Sequence, residues 1–469
     1  MAVAERLYET AVGASRPLFR AAALVNDPAD RAVRGRRASL ARFEAWGAAE
    51  RDPSRRLIWV HAPSVGEGLM AQAILGALRE ARPNVQLVFT HFSPSAERIA
   101  ARVGADVAGY LPWDTGGPVR RALGALRPSA IAFVRTEIWP VLTREAVRVG
   151  TPLFLVNAVL AEDSSRLRWP ARGFLAPVYR RLDGVGAVSE EHARRYERLG
   201  VRPAAIRVTG DARFDQVAGR ISRRGLLDLR ARLSEAGDAG VARDVFDALP
   251  GELPAIFRLL WDPSRFTVVA GSTWGPDEKT LVPVLGVIRR ERRLRLVIAP
   301  HEPTPAHLDA LEGRLERSGL RHARLGALVA GGGGAASAPA RPAGGLDGGV
   351  PDAIIVDRLG ILADLYALAD LAYVGGGFHS GGLHSVVEPA GLGVPVLFGP
   401  NHGNAREAAA LAQRGGGFLV RGAGDVEALI RSLAADRQAL AAAGEAAGSY
   451  VASEAGAAAR TAAMILEGR

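Results

Sequence analysis

Short apolar runs alternate with helix-like segments along most of the chain, and this alternation constrains the fold more than any other feature. The first series begins at Leu57 with LIWVHA, which is followed by the amphipathic segment GLMAQAILGALREAR. VQLVFTHF, AIAFVR and PLFLVNAVL continue it. Strands that are apolar along their length are buried on both faces, and strands separated by helices pair in parallel through right-handed crossovers. The sequence therefore predicts a parallel α/β domain over residues 51–218.

A second series predicts a second domain of the same kind over residues 264–469. Its strand candidates are FTVVAGST, LRLVIAP, AIIVD, LAYVGGG and VPVLFGP. The chain has 469 residues, too many for one ordinary core. The predicted fold class is α/β, with two Rossmann-like, doubly wound parallel-sheet domains facing each other across a cleft. The charged stretch 219–263 is predicted to be a linker or helical insertion, and the segment rich in Gly, Ala and Pro at about 327–350 a flexible loop.

Composition restricts the partners and the chemistry. The formal net charge is +10, which favours polyanionic partners, but the basic residues are dispersed, so nucleic acid is not expected. The chain has no cysteine, which excludes disulfides and thiolate sites. Its nine histidines form no HExxH or comparable pattern, so no metal site and no bound cofactor are expected.

Residues 1–50 form a separate basic, amphipathic element. Apolar Leu7, Leu18 and Phe19 lie close to many arginines. Such a helix can lie in a membrane interface and be drawn to anionic lipid. The alternative is a helix that packs on its own domain. No segment approaches the roughly 20 apolar residues of a membrane span, and no signal peptide is predicted.

Two motifs follow strands of the first domain. HAPSVGEG places Ser64, Gly66 and Glu67 in the turn after LIWVHA. Ligands of parallel α/β sheets bind beyond the carboxyl ends of strands, so Glu67 is a candidate general base. The alternative is that Glu67 only caps the next helix. In RTEIWP, Glu137 follows AIAFVR and is a candidate for facing an acceptor or for supporting the turn.

In the second domain, two glycine-containing turns are candidate phosphate sites. GSTW contains Ser272 and Thr273 directly after a strand, and backbone N–H groups at a helix start bind phosphate. VGGGFHSGGLHSVVEP could present helix N–H groups and an imidazole to phosphate and a carboxylate to ribose. Its candidate residues are Gly376, Gly377, His384, Ser385 and Glu388.

Together these motifs resemble the 3-deoxy-D-manno-octulosonic acid (Kdo) transferases of lipopolysaccharide synthesis. The motifs in question are HAPSVGEG, YLPWD, RTEIWP, LVNAVLAEDS, VTGDARFD, AGSTWGPDE, DRLGILADLYALADLAYVGGGF and HSVVEPAGLGVPVLFGP, in that order. The resemblance implies a GT-B fold, CMP-Kdo as donor and a phosphorylated lipid A precursor as acceptor. It also implies transfer with inversion and Glu67 as the base.

The same resemblance implies a peripheral, monotopic protein on the cytoplasmic face of the bacterial inner membrane, bound to its anionic surface. It assigns Arg213 to donor binding, in the place of a family lysine. Ser385 stands where the family usually has asparagine, and Arg135 where it usually has an acidic residue.

Two other functions stay open at this point. The first is another GT-B enzyme, such as a UDP-sugar transferase or an epimerase. The second is a non-catalytic homologue that binds a membrane or a polyanion. The nucleotide that binds, and turnover of CMP-Kdo, would distinguish them.

Overall fold

The computed structural model describes residues 2–22, 26–235, 246–247, 249–331 and 351–468. The chain divides into two compact units. The first comprises Met1–Gln216 and Glu454–Arg469, and the second Val217–Ser453. Of the predicted loop at about 327–350, residues 327–331 are helical and the remainder lies outside the described residues.

The first unit is built on a seven-stranded sheet in which every pairing is parallel, with the order β3-β2-β1-β4-β5-β6-β7. Its strands are β1 Leu57–His61, β2 Gln86–His91, β3 Val107–Tyr110, β4 Ala130–Val134, β5 Leu153–Ala158, β6 Gly184–Ala187 and β7 Ile206–Val208. The central strands β1, β4 and β5 are buried throughout, as their apolar runs predict.

Helices cover both faces of this sheet, and the core forms two apolar layers, one on each side. The helices are α1 Ala2–Ala22, α2 Asp27–Ala49, α3 Val65–Ala81, α4 Glu97–Ala100, α5 Gly116–Leu126, α6 Pro140–Arg148, α7 Ala171–Tyr179, α8 Glu190–Leu199 and α9 Ala212–Arg223. The last part of α9, from Val217 on, belongs to the second unit. Short 3₁₀ turns lie at Pro94–Ala96, Ser165–Leu167 and Pro203–Ala205.

The N-terminal element is a pair of helices, α1 and α2. Helix α1 contacts its own unit through Glu5, which pairs with Arg181, and Glu9, which pairs with Arg144 at 2.8 Å. It also leaves Leu7 and Leu18 66% and 73% exposed. Helix α1 therefore packs on its own unit and also leaves apolar side chains exposed. Among the described residues, no helix combines the length and the apolar character needed to cross a membrane.

The second unit has a seven-stranded sheet of the same kind, parallel throughout, with the order β10-β11-β9-β8-β12-β13-β14. Its strands are β8 Phe266–Thr273, β9 Leu294–Pro300, β10 His322–Arg324, β11 Ala353–Ile355, β12 Leu371–Val374, β13 Val396–Phe398 and β14 Gly417–Leu419. A core of Val, Leu and Ile side chains packs against it.

The helices of the second unit surround this sheet. They are α10 Leu226–Glu235, α11 Leu253–Leu260, α12 Gly275–Ile288, α13 Pro305–Arg317, α14 Leu325–Gly331, α15 Leu362–Leu365, α16 Val387–Gly391, α17 Arg406–Gln413, α18 Ala423–Ala435 and α19 Arg437–Glu454, with a 3₁₀ turn at Tyr366–Leu368. The described part of 219–263 is thus largely helical, and it belongs to the second unit.

The last helix, α20 Ala457–Glu467, differs from the sequence expectation. Residues up to 469 were expected in the second domain, but α20 packs on α3 and the sheet of the first unit. Met464 and Ile465 are buried in the core layer that α3 covers. The Arg56 guanidinium also donates to the carbonyl oxygens of Leu466 and Gly468 at 2.7 and 2.9 Å. Local periodicity predicts this helix but not the sheet that it covers.

Each sheet reverses its winding direction at one point. In the first unit β1 lies between β2 and β4, and in the second β8 lies between β9 and β12. At such a switch point, the loops after the two neighbouring strands leave toward opposite faces and open a crevice at the carboxyl edge. Most candidate residues of the sequence lie at or just after the carboxyl ends of β1, β4, β8 and β12, whereas Arg213 follows β7.

Candidate active site

At the switch point of the first unit, Glu67 has two polar partners and is still accessible to solvent. Ser64 Oγ donates a hydrogen bond to Glu67 Oε2, and Nε of Arg135 lies 3.8 Å from Oε1. The Glu67 side chain is 22% exposed. It lies in the first turn of α3, where the helix dipole favours an anion. Gly66 is exposed, and a Cβ there would meet nothing within 4 Å, so packing does not require glycine at this position.

The strand β4 delivers Arg135 in a strained conformation. Arg135 has φ +77°, in the left-handed region that residues with a Cβ rarely adopt. Its N–H donates to Val156 O at 2.8 Å, and its carbonyl oxygen accepts from the Tyr196 hydroxyl at 3.3 Å. These bonds hold the backbone so that the guanidinium lies beside Glu67.

Four buried polar atoms around the ends of β1 and β4 have no hydrogen-bond partner among the described residues. They are His61 Nε2, Arg135 Nη1, Glu137 Oε2 and Trp139 Nε1. The rings of His61 and Trp139 lie edge to face with centroids 5.9 Å apart. Buried polar atoms are nearly always paired, so an unpaired cluster at a switch point is a candidate ligand site.

Burial sets the charge of two of these groups. It lowers the pKa of His61 to about 3, so the ring is neutral at ordinary pH. It raises the pKa of Glu137; the Arg166 guanidinium opposes this rise and the Glu67 carboxylate adds to it. Glu137 therefore lies close enough to Glu67 and Arg166 to interact with both.

Arg213 lies in the first unit, although the resemblance assigns it to donor binding. Its Nε donates to Asp211 Oδ2 at 2.9 Å. Burial would raise the pKa of Asp211, but Arg213 and Arg135 outweigh that effect and lower it. Asp211 thus interacts with both Arg213 and Arg135, and Arg135 is the residue that pairs with Glu67.

In the second unit, β8 ends at the switch point with an irregularity. The pairing with β9 shifts between Gly271 and Thr273, and Ser272 has φ +53°. Ser272 is partly exposed, whereas Thr273 is fully buried and its hydroxyl donates to Glu278 Oε1 at 3.2 Å. Of the two predicted phosphate ligands, only Ser272 has an accessible side chain.

Asp277, in the first turn of α12, fixes the glycine-rich loop after β12. Its buried carboxylate accepts from the N–H groups of Trp274 and Gly376, both at 2.9 Å, and from the Tyr373 hydroxyl at 2.9 Å. Gly376 has φ +93°, and a Cβ there would lie 2.2 Å from Gly382 O. A Cβ on Gly377 would lie 2.4 Å from the N of Gly399. The two glycines allow this tight packing and are buried themselves.

His384 belongs to a stack of aromatic rings beside this loop. Trp274 stacks on His379 at 4.3 Å and on His301 at 4.7 Å, and His301 stacks on His384 at 4.3 Å. Trp274 Nε1 donates to His384 Nε2 at 3.1 Å, which leaves Nδ1 of His384 as the protonated nitrogen. Burial lowers the pKa of His384, so the neutral ring is favoured.

Glu388 and Ser385 differ in their accessibility. Glu388 lies in the first turn of α16, and burial raises its pKa while Arg220 opposes the rise. Ser385 is exposed.

In the part of the chain that the structure describes, no three His, Asp or Glu side chains are grouped so that they could hold a metal ion.

Sequence reasoning missed Asp277 and the stacking partners Trp274 and His379. The acid in WGPDE, at the start of a predicted helix, is a signal of capping. Nothing local shows that the same carboxylate binds a loop about 100 residues further on.

Comparisons with known proteins agree with this organisation. Residues 37–216 match the model of the family described as 3-deoxy-D-manno-octulosonic-acid transferase (kdotransferase). A 3-deoxy-D-manno-octulosonic acid transferase of Bordetella pertussis is 28% identical over 442 residues, covering 90% of this chain and 89% of that protein. One of Haemophilus influenzae is 24% identical, covering 74% and 71%.

A solved structure shares the overall fold. It is the UDP-GlcNAc 2-epimerase of Neisseria meningitidis bound to UDP-GlcNAc, with a TM-score of 0.57 and 11% identity, covering 88% of this chain and 98% of that one. Two doubly wound parallel sheets, each with candidate ligand groups at its switch point, define the GT-B class of α/β proteins. Within that class, the chain is similar to 3-deoxy-D-manno-octulosonic acid transferases, by the family model over residues 37–216 and by relatives that match most of its length.

Proposed function

We propose that the protein transfers Kdo from CMP-Kdo to a phosphorylated lipid A precursor, with inversion at the anomeric carbon. The observation that carries the proposal is the position of Glu67 at the switch point of the first unit, beside buried polar atoms that lack partners. The names of the relatives supply the sugar, and the sequence resemblance supplies donor and acceptor.

In the proposed step, an acceptor hydroxyl oxygen attacks the anomeric carbon of Kdo. The bond from that carbon to the CMP phosphate oxygen breaks, and CMP leaves with the electron pair. Glu67 takes the hydroxyl proton, since its carboxylate is accessible and has a free acceptor position. Ser64 and Arg135 would orient the carboxylate. Gly66 and Glu137 would contribute to binding of the acceptor.

The second unit is proposed to bind CMP. The Nδ1–H of His384 and the hydroxyls of partly exposed Ser272 and exposed Ser385 would donate to the phosphate, and Glu388 would accept from the ribose. Thr273, Gly376 and Gly377 would shape the loops. Arg213, on the first unit, would contribute to binding of the donor. No metal or other cofactor is part of the proposal.

We further propose that the protein binds the cytoplasmic face of the bacterial inner membrane as a peripheral, monotopic protein. Exposed Leu7, Leu18 and Phe19 on α1 would enter the interface, and neighbouring arginines would contact anionic headgroups. The lipid acceptor would then be presented at the same surface.

Release of CMP on incubation with CMP-Kdo and tetraacyl lipid A precursor tests the activity. Glu67→Gln should lower kcat by a factor on the order of 10² to 10⁴, as expected for loss of a general base, and leave CMP affinity unchanged. Glu80→Gln is the matched control, since Glu80 is an exposed carboxylate on the same helix. Full activity of the Glu67 variant would remove Glu67 from the role of base.

The nucleotide that the protein binds distinguishes the proposed function from that of a UDP-sugar enzyme. Thermal stabilisation by CMP and not by UDP supports it, and the reverse contradicts it. Binding to liposomes without any CMP release in the presence of acceptor would indicate a non-catalytic homologue.

A further inference from the structure

An arginine-lined cavity lies in the second unit, at the sheet edge opposite the proposed CMP loops. Its volume is about 1140 Å³. Phe266 and Thr267 at the start of β8, and Asp370 just before β12, line it. Ser272 and Gly376 lie at or after the other ends of these two strands. Since both strands run in parallel, the cavity is a separate site.

Four guanidinium groups at this cavity form no close ion pair with a described carboxylate. Arg230, Arg292, Arg293 and Arg437 line the cavity, and none of them forms an ion pair within 4 Å of a described carboxylate. Asp370 interacts electrostatically with Arg230 and Arg437, and Asp262 and Arg265 also line the cavity, so two carboxylates stand against five guanidinium groups. The cavity therefore carries an excess of positive charge.

Two of these arginines are held in place by backbone oxygens. Arg230 Nη1 donates to the carbonyl oxygens of Ala369 and Ala367 at 2.5 and 3.3 Å. Arg292 Nη1 donates to Ala434 O. Because these bonds already hold the two guanidinium groups, binding of a ligand costs little further side-chain entropy. The other N–H groups of each guanidinium remain available to a ligand.

The remaining lining argues for a ligand larger than a single ion. Trp261 and Phe266 are partly buried and supply flat apolar surface. Its volume of about 1140 Å³ lies just above the range of small-molecule pockets, roughly 300 to 1000 Å³, and leaves room for a ligand larger than one ion. Guanidinium forks match phosphate oxygens in geometry as well as in charge.

We propose that this cavity binds a soluble, multiply phosphorylated small molecule, independently of CMP. Inorganic tripolyphosphate is the probe, titrated calorimetrically into the full-length protein at constant ionic strength. Arg292→Ala/Arg293→Ala should weaken its binding at least about tenfold, since hydrogen bonds to charged groups are lost. The side chains of Arg292 and Arg293 are exposed, so the variant should keep its fold. An unchanged affinity for CMP would show that the variant is folded.

Arg290→Ala/Arg317→Ala is the matched control, because it removes two exposed arginines of the same unit that do not line the cavity. The control should bind tripolyphosphate within about twofold of the wild type. Equal affinity of all three proteins, equal weakening of both variants, or no binding by the wild type would each overturn the proposal. In a last experiment, the three proteins are tested for binding to vesicles of anionic phospholipid. A loss of vesicle binding confined to the Arg292/Arg293 variant would contradict the proposal of a soluble ligand.

Discussion

Nε of Arg135 lies 3.8 Å from Oε1 of Glu67, although the two residues follow different strands of the first sheet. Arg135 reaches this position from a backbone with φ +77°, fixed by its hydrogen bond to Val156 O. An arginine beside the proposed base attracts the carboxylate and limits its rotation.

Arg135→Gln tests the pair directly. We expect kcat to fall about tenfold, equivalent to ~1.4 kcal/mol, because Glu67 loses the group that orients it. CMP affinity should not change. Arg127→Gln is the control, since Arg127 also has a positive φ, of +46°, but is exposed. An equal fall in kcat in both variants would show a general effect of the substitutions.

Gly376→Ala should damage the proposed CMP site. The new Cβ would lie 2.2 Å from Gly382 O at φ +93°, so the loop must shift and Asp277 would lose the hydrogen bond from the N–H of residue 376. We expect CMP binding to weaken at least about tenfold, with a loss of unfolding free energy on the order of 1–3 kcal/mol. Gly424→Ala is the control, because its Cβ would meet nothing within 4 Å. Calorimetry with CMP measures the first effect and thermal unfolding the second.

Asp114 should make the first unit more stable in mild acid. Burial raises its pKa to about 6, although it accepts from the N–H groups of Val141 and Leu142 at 3.0 and 2.8 Å. The folded state thus binds its proton more tightly than the unfolded chain, where the pKa is about 3.9. This contribution, about 3 kcal/mol, is complete below about pH 3.9 and is lost as the pH rises through about 6.

Asp114→Asn has no such proton to bind. The unfolding free energy of the wild type relative to this variant should therefore increase as the pH is lowered from 7 to 4. Thermal unfolding at a series of pH values measures it. A constant difference between the two proteins would refute the assignment.

Leu7→Glu/Leu18→Glu should weaken binding to phosphatidylglycerol vesicles at least about tenfold, since each leucine buried in an interface contributes roughly 1.5–3 kcal/mol. Co-sedimentation measures the bound fraction. Leu359→Glu, at a residue of the second unit that is 74% exposed, is the control and should bind as the wild type does. Unchanged binding of the α1 variant would show that another surface meets the membrane.

The parallel sheets were predictable because their central strands are uninterrupted apolar runs, and the location of the site followed from strand order. Glu67 and Glu137 follow β1 and β4, so a switch point between those strands brings them together. The other features of the site depend on contacts between residues that are distant in the sequence. Asp277 looks like a helix cap in the sequence, and only the fold brings it to Gly376. Arg213 resembles a donor ligand by motif, yet its segment precedes the boundary of the second unit.

Because of helix α20, the first unit is fully synthesised only after the second unit. The core of the first unit includes Met464 and Ile465, which follow the entire second unit in the chain. Translation runs at roughly 5–20 residues per second, so the ribosome adds these side chains some 10 to 50 s after residue 216. A nascent first unit meanwhile exposes the apolar face of α3 that α20 later covers. The second unit can finish folding first, and chaperones that recognise exposed apolar surface have that interval in which to bind the first.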